Sequence, residues 1–223
     1  MGIYSSHLLI SLIYDLILNC MNKVVRILNV FVQLFVNLKK DLHVGSAYTI
    51  HTVAVYSLTL KRRKPAESSA ELGIHLGLPY KLSEHPFKYL TSKRVFERVR
   101  NQGYIPTVAT RSAIHRALNI TSCTDVRLIP ILAAFEKVLV YLMSRHVKNS
   151  FIDATTMLII AANPGCDISI ITQLEGIEKT AAAAKLLRLQ RRGQIKIDKL
   201  ATVRRFYLDD DVMDIIKHII DPG

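Results

Sequence analysis

The sequence predicts a mainly α chain: a helical N-terminal region, then a C-terminal unit in which short helices are followed by a two-stranded hairpin. Three observations carry that expectation. An apolar N-terminal stretch has polar residues at the helical repeat, the second half is a series of apolar runs with capping residues and stop glycines, and two short alternating segments lie close to the C-terminus. With 223 residues, 50% of them apolar and 22% charged, the balance is that of a globular protein and excludes global disorder.

Between Leu8 and Lys40 the polar residues are Ser11, Asp15, Asn19, Asn22, Arg26, Asn29, Gln33, Asn37 and Lys40. They recur on average every ~3.6 residues, so the segment reads as one long helix with a narrow polar stripe. Asp15, Lys23 and Arg26 interrupt it too often for a membrane span. A helix covered by protein, central or oligomer-forming, is the first reading. A helix lying in a membrane interface is the second, and its Asn-rich stripe lacks the basic face such helices carry.

Tyr48 to Leu60 is β-branched and aromatic with partial alternation, which predicts a strand or short hairpin. The run from Lys61 to Gly73 reads as an exposed linker, with Lys61, Arg62, Arg63 and Lys64 either a DNA-backbone contact or a solvated charged loop. Ser92 is placed to cap a helix over Lys93 to Gln102 that Gly103 ends. A break at Tyr104-Ile105-Pro106 precedes a short helix over Arg111 to Leu118, a turn at Asn119 to Thr121 and a long helix from Asp125 to Val147. The expected divisions are 1–60, a long apolar helix and short β segment for oligomerisation or docking; 61–148, a basic helical region; and 149–223.

In 149–223, Phe151 to Ala162 is a helical apolar run closed by Asn163-Pro164-Gly165, and Asp167 or Ser169 caps a second helix that turns at Gly176. A third helix runs from Lys179 to a stop at Gly193, with Ala182, Leu186 and Leu189 facing inward and Lys185, Arg188, Arg191 and Arg192 outward. Gln194 to Ile197 and Val203 to Leu208 alternate as a hairpin, turning at Asp198 to Ala201, and an aspartate from 209 to 211 caps a last amphipathic helix.

Gly176-Ile177-Glu178-Lys179-Thr180, then Leu186 and Leu189-Gln190-Arg191-Arg192-Gly193-Gln194-Ile195, resembles the turn, recognition helix and first wing strand of winged helix-turn-helix regulators, including the MarR type. The resemblance covers the C-terminal third. It implies a third helix in a DNA major groove and a wing on the backbone or minor groove, with Lys179, Thr180, Lys185, Arg188, Arg191 and Arg192 on the helix and Lys196, Lys199, Arg204 and Arg205 on the wing. The positions that face bases in that family fall here on Thr180, Ala181, Ala183, Ala184 and Leu187. Alanine reaches only a thymine methyl, so the implied readout is led by shape or by the wing.

Charge agrees with a polyanionic partner. Thirty Lys and Arg against 18 Asp and Glu leave +12. The segment 61–116 holds 12 basic and 4 acidic residues, and 179–205 holds nine basic and one acidic. No HExxH, GxxxxGK[ST], GxSxG or GxGxxG occurs, the eight histidines are scattered, and no catalytic or metal-binding constellation is expected. Cys20, Cys123 and Cys166 form no CxxC pair, as expected in a reducing cytoplasm. The expectation is a cytoplasmic, non-enzymatic protein without cofactor that binds double-stranded DNA as a homodimer and regulates transcription by occupying a site. The alternatives are a winged-helix interaction module in a complex or at a membrane interface, and a plasmid-type replication initiator. The last requires 61–120 to fold as a second winged unit.

Overall fold

The computed structural model describes residues 4–66, 68–78, 81–100, 102–118, 125–145, 150–198 and 203–222, with side chains described from residue 23 onward except those of 125–128. Helix α1 spans Tyr4–Leu42, α2 Ser46–Arg62, α3 Ser69–His75 and α4 His85–Ser92; strands β1 (Phe96–Val99) and β2 (Gly103–Pro106) follow, then α5 (Val108–Ala117). Helix α6 spans Asp125–Ser144, α7 Phe151–Ala162, α8 Ile168–Glu175 and α9 Lys179–Arg191; β3 (Ile195–Asp198), β4 (Arg205–Leu208) and α10 (Asp210–Ile220) complete the chain. Each strand pair is an antiparallel hairpin, with Phe96 opposite Pro106 in the first and Ile195 opposite Leu208 in the second. The mainly helical class is as the sequence predicts. Among the described residues no helix is long and apolar enough to cross a membrane.

The same order of elements occurs twice, from α1 to α5 and again from α6 to α10. The correspondence extends to single backbone contacts. Ahead of its third helix each unit adds one residue to the hairpin as a third, minimal strand: Ala66 pairs with Tyr104 on β2, and Cys166 with Phe206 on β4. The Ala66 amide donates to the Tyr104 carbonyl at 2.9 Å, and the Phe206 amide donates to the Cys166 carbonyl at 2.9 Å. After each helix that precedes the hairpin the chain turns through positive φ, at Arg94 (56°) and Gly193 (65°). The next residues, Val95 and Gln194, accept from the N-caps of the closing helices, Thr107 at 3.0 Å and Asp209 at 3.1 Å.

Packing repeats as well. Helix α2 touches α3, α4 and β2 as α7 touches α8, α9 and β4, and α1 lies on α2 and α5 as α6 lies on α7 and α10. Between the units α1 lies on α7 as α6 lies on α2, α2 lies on its counterpart α7, and α1 adds a contact with α10. Like elements exchanging partners in this way describe two similar units about a pseudo-twofold axis.

From residue 23 onward helix α1 buries most of its apolar residues, Val30 being the exposed one. Val24, Leu28, Phe31, Phe35 and Leu38 are buried, whereas Arg26, Gln33 and Lys40 are exposed on the polar stripe. This is the protein-covered helix of the first reading, packed inside the chain against α2, α5 and α7.

Three local expectations are corrected. Tyr48 to Leu60 is part of helix α2, not a strand, because every residue from Thr49 to Leu58 is buried between the units. Burial on all sides removes the alternation a strand needs and overrides β propensity. The threonines are accommodated by bonding back along the helix, Thr52 Oγ1 donating to the Tyr48 carbonyl at 2.8 Å. The expected helix after Ser92 is instead the β1–β2 hairpin, and Ser92 is the last residue of α4 rather than a cap. Arg94 at positive φ stops α4, and Val95 and Phe96 are buried while Glu97 and Arg98 are exposed. The linker expected over 61–73 contains the end of α2, the Ala66 bridge and the start of α3, and the expected 60/61 division falls inside α2.

Candidate nucleic-acid interface

Phe151 to Leu208 has the expected order of helix, helix, turn, helix and hairpin. Asp167 caps α8, accepting from the Ser169 amide at 2.9 Å, and Gly176 ends that helix at φ 60°. Ala182, Leu186 and Leu189 face the core. The basic residues of this unit are disposed differently from the expectation. Lys185 is folded back onto Glu175, whose side chain is 1% exposed. Arg188 and Arg192 both donate to Asp153 on α7, a residue 2% exposed. Lys196 pairs with Asp210 and lies 3.7 Å from Asp209, and its hydrogen bond to Asp210 raises its pKa. Arg205 donates to the Gly165 carbonyl at 3.3 Å. Lys179, Thr180, Arg191 and Arg204 are exposed, and Lys199 lies outside the described residues. On α9 the cations without an acid partner among the described residues are therefore Lys179 and Arg191 at its two ends, Arg188 staying part-exposed but paired.

The acids that capture these cations come from other helices. Glu175, at the end of α8, pairs with Lys185 on α9 and accepts from Thr156 on α7. Its carbonyl accepts from Lys39 of α1 at 2.9 Å and Ser46 of α2 at 3.0 Å, so one residue ties the second unit together and fastens it to the first. Removing a buried carboxylate leaves its partner uncompensated. Because Lys185 retains some exposure, Glu175→Ala is expected to cost about 2 kcal/mol and lower Tm by roughly 4–8 °C. Chemical and thermal denaturation measure it, and Glu175→Leu with Lys185→Leu is expected to recover most of the loss.

The first unit shows the reverse. On and around α4 and the first hairpin, Lys81, Lys88, Lys93, Arg94, Arg98 and Arg100 are all exposed, and none has an ion-pair partner among the described residues. Lys93 Nζ rests 5.8 Å from the centre of the Tyr89 ring. Glu97 is the exposed acid on β1, and Glu84 is turned onto Ser69, accepting from its amide at 3.0 Å. The Lys61 to Lys64 run is largely engaged: Lys61 pairs with Glu136, Arg62 with Glu71, and Lys64 lies 3.6 Å from Glu71. The helix expected over Lys93 to Gln102 puts Arg98 and Arg100 on a helix face, whereas they belong to the first hairpin. Strict alternation is missing there, since Val95 and Phe96 are adjacent and Glu97 and Arg98 follow; the local signal is the β-branched and aromatic Val95, Phe96 and Val99 ahead of Gly103.

The chain matches no family model, no curated protein and no solved structure.

Beside α9 the second unit has a groove of about 510 Å³ between that helix and its hairpin, lined by Thr180, Ala183, Leu187, Val203 and Phe206, with Lys179 and Arg204 along it. Leu187 and Val203 are 46% and 47% exposed, which makes this face apolar with a cationic edge. No group of three or more potential metal ligands occurs among the described residues.

Proposed function

We propose that the chain binds double-stranded DNA through two winged-helix units carried in one polypeptide, acting by occupancy and without catalysis. The observation that carries this reading is the set of six unpaired, exposed cations around α4 and the first hairpin, where a third helix and wing would meet phosphates. Lys88, Lys93, Arg94, Arg98 and Arg100 of the first unit supply most of the backbone contacts. Lys179, Arg191 and Arg204 add to them from the second.

Two units in one chain favour initiation or partition of a replicon over a homodimeric transcriptional regulator, since the second unit of a paired site need not come from another copy. Base readout is weak on this reading. Alanines on α9 offer no hydrogen bonds to base edges, and α4 has only His85, Lys88 and Tyr89 as long polar side chains, of which Tyr89 stacks on Tyr48. A duplex-binding titration by fluorescence anisotropy at low salt tests the proposal; no measurable affinity there overturns it.

The apolar groove beside α9 favours a second reading for the C-terminal unit alone, docking of a protein segment rather than a base edge. Saturating duplex then leaves Leu187 accessible, whereas insertion of α9 in a groove buries it.

A further inference from the structure

A cavity of about 340 Å³ opens where the two units meet, lined by Ala47, Tyr48 and His51 of α2, Lys81 to Ser83 ahead of α4, Pro86 in its first turn, and Ser150 to Ile152 at the start of α7. Its volume falls at the lower end of the roughly 300–1,000 Å³ typical of small-molecule sites. Tyr48 stacks on Tyr89 at 4.3 Å between ring centres, and Phe151 meets His51 edge-on at 4.8 Å, so two walls are fixed aromatic rings. Most polar groups at the cavity are already engaged. Ser150 accepts from the Asp153 amide, Ser83 from the His85 amide, and the Tyr48 hydroxyl lies 3.4 Å from His85 Nδ1.

Two groups are left over. Lys81 is exposed and has no ion-pair partner among the described residues, so it is the one cation lining the cavity. His51 is 1% exposed with neither ring nitrogen hydrogen-bonded. Burial lowers its pKa to about 3, so it contributes an uncharged ring to the lining. A buried polar side chain without a partner at the wall of an apolar cavity is an uncommon expense in a folded protein.

We propose that this cavity binds a small apolar organic anion, its hydrocarbon body against Tyr48, Phe151 and Ile152 and its negative group at Lys81. The proposal does not depend on DNA binding. Because the lining comes from both units, an occupant braces them against each other and raises thermal stability in proportion to its affinity.

Anilinonaphthalene sulfonate is the probe, with neutral phenylnaphthylamine as the same body lacking the charge. Saturable fluorescence enhancement at one site per chain is expected. Lys81→Glu is expected to weaken the sulfonate about tenfold and leave the neutral probe within about twofold. Ile152→Trp, which fills the cavity from an exposed position, is expected to weaken both by about tenfold or more, with an unchanged far-UV spectrum. The proposal is overturned if neither probe binds, if Ile152→Trp leaves both affinities unchanged, or if Lys81→Glu affects the two probes equally. Lys81→Glu is a surface change, so the charge arm remains informative even if the tryptophan variant fails to fold.

Discussion

Arg98→Glu with Arg100→Glu is expected to weaken binding of a duplex about a hundredfold at low salt while leaving the fold intact. Both side chains project from the first hairpin, both are exposed, and neither is held by an acid. Reversal removes two phosphate contacts and adds two repulsions beside the polyanion, and a hundredfold corresponds to ~2.7 kcal/mol. The dependence of log K on log salt is expected to flatten by about two in slope, one for each phosphate contact removed. The comparison is Arg191→Glu with Arg204→Glu in the second unit, where a smaller loss is expected because the neighbouring cations are engaged by Asp153, Glu175 and Asp210. The opposite ranking, with the second-unit variant losing more, places the contact on α9.

His51→Phe is expected to make the protein resistant to acid. In the folded chain the imidazole titrates at about 3, held neutral by burial, whereas in the unfolded chain it titrates near 6.5. Below pH 6.5 the unfolded state takes up a proton that the folded state refuses, so stability is whole above that pH and declines as pH falls toward 3. A difference of this size corresponds to about 4 kcal/mol at the acid end. Phenylalanine keeps a ring against Phe87 and Phe151, at 5.0 and 4.8 Å in the wild-type packing, and removes two nitrogens that have no partner. Urea unfolding from pH 7 to pH 4 measures it. Parallel wild-type and variant profiles would show that other groups govern the acid limb.

What was legible in the sequence follows from how local each signal is. The C-terminal elements carry their punctuation beside them: Asp167 and Asp209 as caps, Gly176 and Gly193 at positive φ, Ala182, Leu186 and Leu189 at helical spacing. Helix α2 carries no such marks, and its β-branched residues form a helix because both units cover it, which is tertiary information. The internal repeat was hidden because the two units realise equivalent positions with different chemistry. Arg94 stands where the second unit has Gly193, Thr107 where it has Asp209, and three residues separate β1 from β2 where six separate β3 from β4.

Free charge was the least legible feature. Net charge by segment gives 61–116 and 179–205 the same excess, yet the structure separates them. In the second, Asp153 captures two arginines from 35 and 39 residues away and Glu175 a lysine from 10 away. Pairings over such intervals cannot be read from one chain, because they depend on how α7, α8 and α9 pack. The basic residues that matter for a polyanion are those left without an acid, and here they gather on the unit whose secondary structure was the harder to foresee.

The dependence of duplex affinity on salt tests the account most directly. With about five phosphate contacts from the first unit, log K is expected to fall against log salt with a slope of about −4 to −5, steeper if the second unit engages. A slope near zero, or affinity carried entirely by the groove beside α9, would contradict it.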